Sequence, residues 1–354
     1  MPRTAEKTSR IGVAVACLAA LALVATACGA RDPFSDPDSV ASRVEREMHE
    51  RSLSADEQAY LGSKRVGLSA GAAPGAAALT PQQPGDNQGA ATASTQAAAS
   101  ATDRAVAATS GKGQYLYRME QIGSPQEVVA KAKAAGLKHL VIRASNPDDG
   151  FYVKPILETL LPLAHAAGIA VVAYDGPALE DIPADVARAK SVIDYQTTGG
   201  HRIDALGADI ERTRAPNLDR PRAAEYAAQL RAAVGPNYPL VAIVMNPNYH
   251  ESWYPFAELA KGFNVMSPMD YWTGVTGDGA AFVSKSVKLL EKYGLPVSVI
   301  GQAYPIEGAG TYPTQDAARG AMQAAKDAGA VGISWWSWET TTDWHWDLIA
   351  GFPW

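Results

Sequence analysis

Residues 204–211 read Asp204-Ala205-Leu206-Gly207-Ala208-Asp209-Ile210-Glu211, an apolar run that ends on two carboxylates. Side chains alternate across a β-strand, so Asp209 and Glu211, two positions apart, share one face. Charges closing a buried run are costly unless they sit at a strand mouth, where water, a ligand or chemistry meets them. The near-continuous apolar character of the run fits a parallel strand covered on both faces. The chain on either side of it therefore decides the architecture.

Working outward, the same punctuation repeats. Residues 115–119, 139–143 and 169–174 upstream, and 240–245, 263–266, 296–300 and 331–336 downstream, read as further short apolar strands. Amphipathic segments separate them. Ser124-Pro125-Gln126-Glu127 supplies an N-cap, a first-turn proline and a capping-box glutamate, and Gly136, Gly168, Gly235, Gly294 and Gly329 follow predicted helices. Eight strand–helix alternations in about 240 residues predict an α/β chain folded as a (β/α)8 TIM barrel over 111–354, a fold whose usual size is about 250 residues. A two-lobed, exported solute-binding protein is the competing α/β architecture, and it normally needs a longer chain.

The N-terminal region has a different character. Arg3, Lys7 and Arg10 precede an apolar stretch over 11–24, which is followed by Ala25-Thr26-Ala27-Cys28. The stretch is short against the roughly 20 residues of a membrane span. The pattern resembles a bacterial lipoprotein signal over 1–27, which implies lipidation at Cys28 and a membrane anchor on the extracytoplasmic face. Ala25 stands where such signals more often carry Leu, and an ordinary secretion signal cleaved near Ala27 or Ala30 is the alternative. Residues 28–110 read as a linker with a possible helix at 38–65. From Gly67 to Gly111 the linker is Ala, Gly, Ser, Thr, Gln and Pro, a composition too poor in large apolar residues to fold. As a flexible tether this linker reaches about 50 Å.

Composition narrows the chemistry. The two cysteines are Cys17, inside the signal, and Cys28, so a mature chain offers no thiol for a disulfide, a nucleophile or a thiolate metal site. The net charge of −6 is spread along the chain and gives no reason to expect nucleic acid. Histidines lack ligand spacing and no G-x-S-x-G elbow occurs, so neither metal, cofactor nor serine hydrolase chemistry is expected.

In a TIM barrel the site forms where strands end and the strand-to-helix loops gather. The candidates there are Asp209 and Glu211, together with Arg143, Tyr174, Asp175, Asn246, Asp270, Tyr271, Gln302, Tyr304, Trp336, Trp338 and Glu339. Carboxylates beside aromatic rings suit a sugar, whose apolar ring faces stack on aromatics while acids handle protons and hydroxyls. Strand alternation puts Trp336 and Trp338 on one face and Trp335 toward the helices. The competing reading of Asp209 and Glu211 is a buried ionic layer with Arg143 or Arg212. Asn246 and Gln302 are equally suited to satisfying loop backbone, and Asp175 to capping a turn.

These motifs resemble the family-18 glycoside hydrolases, whose strand-four signature is D-G-x-D-x-D-x-E. Asp204, Asp209 and Glu211 match its first acid, third acid and glutamate, while Ala205 and Gly207 replace the glycine and the middle aspartate. Met266-Ser267-Pro268-Met269-Asp270-Tyr271 carries the residues of the strand-six M-x-Y-D feature in shifted order, and Ser334-Trp335-Trp336-Ser337-Trp338-Glu339 resembles the strand-eight tryptophan floor. The chain is also similar to family-25 lysozyme-type barrels, which carry a D-x-E on a central strand. The resemblance implies Glu211 as general acid, Asp209 as its orienting partner and Asp270 or Tyr271 positioning the same centre, with a β-linked glycan or polysaccharide as partner. The missing middle aspartate leaves two readings open, a hydrolase and a non-catalytic glycan-binding lipoprotein.

Overall fold

The structure is a computed structural model that describes residues 101–354 except Thr213, 274–276 and 306–310. The signal, Cys28, the possible helix at 38–65 and nearly all of the linker lie outside the described residues. Eight parallel strands form the barrel: β1 (Gly111–Leu116), β2 (His139–Asn146), β4 (Ala170–Asp175), β5 (Ala205–Ile210), β6 (Leu240–Val244), β7 (Val265–Asp270), β8 (Ser298–Gln302) and β9 (Gly332–Trp336). Closure comes from β1, which pairs with β2 on one side and β9 on the other. A two-residue antiparallel strand, β3 (Gly150–Phe151), extends the end of β2.

Helices α1 (Pro125–Ala134), α2 (Lys154–Ala166), α3 (Ile182–Asp194), α4 (Arg220–Val234), α5 (Pro247–His250), α6 (Phe256–Ala260), α7 (Gly279–Glu291), α8 (Gln315–Asp327) and α9 (Asp343–Gly351) surround it. Their starts follow local chemistry. Ser124 and Glu127 form a reciprocal capping box on α1, and Asp181, Asp219, Asp278 and Thr314 each accept from a first-turn N–H of α3, α4, α7 and α8. The (β/α)8 TIM barrel predicted from the alternation is the fold observed.

Two apolar layers result. The larger lies between sheet and helices. The smaller fills the barrel and contains Tyr115, Val141, Val172, Tyr174, Ala205, Ile243 and Ile300 among its members. The folded unit also starts earlier than the sequence suggests. Residues 101–109 are helical, and Ala105 and Ala108 pack into the barrel interior from its N-terminal end. Ser298 Oγ donates to Thr109 O at 3.0 Å, and Asn264 Nδ2 donates to Thr102 Oγ1 at 3.1 Å, so barrel groups hold this plug in place.

Just above the plug, His139 occupies the space that Gly113 leaves. A Cβ at Gly113 would lie 2.0 Å from His139 Nε2. His139 Nδ1 lies 3.1 Å from Ser110 O, which only accepts, so Nδ1 carries the proton and Nε2 accepts from Ser334 Oγ at 2.6 Å. Burial lowers its pKa to about 4, consistent with a neutral ring. Gly113→Ala is expected to destabilise the fold by about 3 kcal/mol through overpacking. Adding His139→Ala should recover part of that loss, and denaturant unfolding of the two single variants and the double variant measures the coupling. Strict additivity would show that the two positions do not share the space.

Candidate active site at the barrel mouth

The inward face of β5 carries Ala205 and Gly207, and Asp209 and Glu211 continue the same face to its C-terminal end. Their side chains are 7% and 12% exposed. A turn follows in which Arg214 N and Ala215 N donate to Glu211 O, at 3.2 and 2.9 Å. It folds Arg214 back over the acids, with Nε 3.4 Å from Asp209 Oδ2 and 3.1 Å from Glu211 Oε1. The cation in contact with both acids is thus one that the sequence does not suggest. Arg212 lies over the Trp253 ring at 4.0 Å, and Arg143 lies over Tyr117.

The charges in this cluster are unequal. Burial, followed by the like charge of Glu211, raises the Asp209 pKa to about 7 even though Arg214 and Arg143 oppose the rise. Asp209 Oδ1 is buried with no hydrogen-bond partner among the described residues. Burial works against the Arg214 charge, but Asp209 and Glu211 outweigh it and raise its pKa. The acid pair thus shares a site with a fixed cation and retains one free carboxylate oxygen.

Around the acids stands a wall of rings. Trp336 lies 5.4 Å from Tyr115, 4.8 Å from Tyr117 and 6.4 Å from Tyr174, centroid to centroid. Tyr271 meets Tyr304 edge-on at 5.2 Å, and the Tyr271 phenol is close enough to Asp209 and Glu211 to feel their charge. Burial first, with those charges and neighbouring phenols adding, raises the Tyr271 pKa well above its usual range. Glu339 reaches the segment that follows β1, where its Oε1 accepts from Arg118 N at 2.7 Å and its Oε2 has no partner among the described residues.

Other sequence candidates fall elsewhere. Asp270 has the parity of Met266, which packs in the outer layer, and it points away from the mouth. Its Oδ1 accepts from Asn246 Nδ2 and from Ser286 Oγ of α7, so Asp270 and Asn246 form a buried polar contact behind the sheet. Asn246 also accepts from Asn248 N as the cap of α5. Asp175 is fully buried and accepts from Arg188 Nε and Nη2, at 2.7 and 2.9 Å, and from Ser145 Oγ, which leaves it a structural anchor for α3. Gln302 faces inward, but its amide is engaged by Thr273 N and Tyr304 O. Trp338 packs on Trp346 and Lys131 in the outer layer, 7% exposed. Alternation does not reach it, because β9 ends at Trp336 and a turn follows. Trp335 packs outward against Trp272, as alternation predicts.

The structure thus brings together Asp209, Glu211, Arg143, Tyr271, Tyr304 and Trp336. It joins to them Tyr174, a strand-end candidate, and adds Arg214, Tyr115 and Tyr117, which the candidate set lacks. Tyr115 and Tyr117 had a signal, since their spacing on β1 and its continuation puts them on one face; Arg214 in a turn had none. Gly207 also gains a physical reason. A Cβ there would lie 3.0 Å from Tyr174 Cβ and 3.1 Å from Ile243 Cδ1, so neighbours fill the space of the aspartate it replaces. Among the described residues no group of three or more His, Cys, Asp or Glu could hold a metal ion, and no helix is long and apolar enough to cross a membrane.

Among solved structures, the chain is similar to the spore cortex-lytic enzyme SleL of Bacillus cereus, at 13% identity and a TM-score of 0.51, over 69% of this chain and 74% of that one. It is also similar to a glycoside hydrolase family 18 N-acetylglucosaminidase from Paenibacillus barengoltzii, at 15% identity and a TM-score of 0.49, over 68% of this chain and 99% of that one. No family model matches the sequence, and no curated protein matches it. The fold shared with the SleL enzyme is the (β/α)8 TIM barrel. At this identity the likeness is one of fold.

The position of Asp270 has a measurable consequence. Burial raises its pKa well above the carboxylate range, against the opposing hydrogen bonds from Ser286 and Asn246. A raised folded pKa stabilises fully below the unfolded value of about 3.9 and is lost as pH rises toward the folded one. Asp270→Asn does not titrate there. Its melting temperature minus that of the parent should therefore climb between pH 4 and pH 8. A flat difference would mean that Asp270 is not a buried, cation-free acid.

Proposed function

We propose that the barrel mouth hydrolyses a glycosidic bond of a glycan or polysaccharide by carboxylate acid catalysis. The observation that carries this reading is the inward pair Asp209 and Glu211, held by Arg214 at the C-terminal end of the barrel, with a buried carboxylate oxygen left unpartnered. Glu211 lies nearer the rim and is the proton donor to the leaving oxygen. Asp209, deeper and with its pKa raised to about 7, shares that proton and orients the reacting centre. Trp336 with Tyr115, Tyr117 and Tyr174 offers the ring faces against which a pyranose stacks. An acid whose pKa is raised by burial and a like charge keeps a proton available near neutral pH.

A non-catalytic glycan-binding role has one observation in its favour, the 3.1 Å contact that holds Glu211 to a cation and stabilises its ionised form. Glu211→Gln separates the two. On chitin oligomers, peptidoglycan fragments and neutral β-glucans, the substitution should lower turnover by at least about 100-fold while binding persists, in the range of removing general acid–base catalysis. Saturable binding without turnover by the parent protein would assign the binding role. For the hydrolase, kcat/KM should fall above about pH 7, as the proton shared with Asp209 is lost. A profile flat to pH 9 would remove the pair from proton transfer.

The same proposal places the barrel outside the cell, tethered to the membrane by a lipid on Cys28. The lipoprotein-like signal and the low-complexity residues after it support that reading. Metabolic labelling with a palmitate analogue should tag the parent chain and leave Cys28→Ser unlabelled in the soluble fraction. Labelling of Cys28→Ser would disprove the anchor.

A further inference from the structure

Three of the arginines folded into this barrel have well-defined acceptors. Arg188 is bonded to Asp175 and Asp185, Arg231 to the carbonyls of Gly262, Gly235 and Tyr238, and Arg214 to the acid pair. Arg143 has none among the described residues. It stands on the inward face of β2, in register with Tyr174, and its guanidinium lies 4.8 Å above the Tyr117 ring. The groups whose charge it feels most are Arg214 and the phenols of Tyr174, Tyr117 and Tyr152.

This placement leaves a half-buried fixed charge at the mouth without an acidic partner in contact among the described residues. A guanidinium is a fork of five N–H donors that cannot be neutralised in a protein. Tyr117 engages one face of the fork as a cation–π partner, which leaves the donor edge unused. The mouth also holds a second cation, Arg214, against an acid pair that shares a proton near neutral pH. An incoming anion would meet net attraction at Arg143. It would also lie beside the rings that stack a sugar, since Tyr117 contacts both Arg143 and Trp336.

We infer that the glycan taken by this mouth bears a carboxylate on the sugar seated against Tyr117 and Trp336, and that Arg143 is the residue that selects it. The inference rests on the hydrolase or glycan-binding reading of the same mouth. A planar carboxylate matches the fork with two parallel N–H···O bonds. The carboxylate belongs either to C6 of a uronic acid or to an ether-linked acid substituent on an amino sugar; the chemistry recognised is the same.

The test uses the mature chain and oligosaccharides that differ in this one group. β-1,4-Glucuronan oligomers and cello-oligomers share linkage and ring and differ at C6, a carboxylate against a hydroxymethyl. Muramic acid-containing peptidoglycan fragments and chitin oligomers make the second pair, and C6-sulfated cello-oligomers supply a tetrahedral anion. Calorimetric binding to the Glu211→Gln variant, at 50 and 300 mM salt, should favour the carboxylated member of at least one pair by 10-fold or more, more so at low salt. Arg143→Gln should collapse that preference to within about 2-fold, while Arg143→Lys, which keeps the charge but not the fork, should retain part of it. A folded Arg143→Lys variant keeps the test decisive if Arg143→Gln does not fold.

Equal affinity for both members of both pairs would overturn the inference, as would a preference that survives in Arg143→Gln. Tighter binding of the sulfated oligomer than of the glucuronan would overturn the assignment to a carboxylate. Hydrolysis answers separately. If the parent cleaves neutral oligomers with no acidic preference, the hydrolase reading stands and this inference fails. An Arg143-dependent preference without cleavage of any oligomer supports the inference and refutes the hydrolase.

Discussion

Two carboxylates on the inward face of one buried strand are the constraint around which the mouth is organised. Placing Asp209 and Glu211 side by side in a low-dielectric interior is unfavourable twice, through desolvation and through mutual repulsion. The fold answers with a cation from the adjacent turn, since two backbone bonds to Glu211 O bring Arg214 back within 3.1 and 3.4 Å of the acids. That compensation is partial. One oxygen of Asp209 remains without a partner among the described residues, and its proton affinity stays far above that of a solvated aspartate. Asp270 also keeps one unpartnered oxygen, but behind the sheet, whereas Asp209 keeps its own at the mouth. The contrast within the same barrel is Asp175, which also ends a strand and is fully buried, yet is satisfied by two nitrogens of Arg188 and by Ser145. Removing either side of that pair would leave an uncompensated charge, a loss of about 3–5 kcal/mol, so Asp175 is explained by stability alone.

Much of this was legible in the sequence because it rests on local rules. Capping chemistry put the first helix at Ser124, and the structure has both halves of the capping box there. Period-two alternation put Asp209 and Glu211 on one face and Trp335 on the other, and β5 and β9 are regular enough to preserve it. Where the strand stops, the rule stops. Trp338 lies past the end of β9 and turns into the helical layer, where Trp346 and Lys131 receive it. Asp270 was misread for another reason. A motif with shifted order suggested a catalytic acid, but the parity of β7 turns Asp270 outward and gives the mouth Tyr271.

What the sequence withheld depends on contacts between distant residues. Ala101, Ala105 and Ala108 form a stripe of small side chains in a region that composition assigns to a linker. Nothing in such a stripe announces that a barrel end will cover it, because the partners, Asn264 and Ser298, lie far along the chain. Arg214 was hidden in the same way. A turn arginine is ordinarily solvated, and only the closed barrel puts two acids beside it. The polar mouth was thus visible as a list of residue types, whereas the pairing that decides their protonation was not.

The departure at Gly207 shows how the arrangement differs from the signature it resembles. A middle aspartate at that position would put a third inward carboxylate directly below Asp209. Here Tyr174 and Ile243 close on the glycine so tightly that even a Cβ would press on both. Tyr174 is itself buried, and its hydroxyl has no partner among the described residues. Support for Asp209 has therefore moved from an acid beneath it to a guanidinium beside it. An acid beneath would exchange a proton with Asp209, whereas a guanidinium cannot, so the mobile proton is confined to Asp209 and Glu211. Substituting an aspartate at Gly207 would not recreate the signature, because it would have to displace Tyr174 and with it part of the ring wall beside Trp336. The glycine makes room for the tyrosine, and the arginine supplies the charge that the acids above them require.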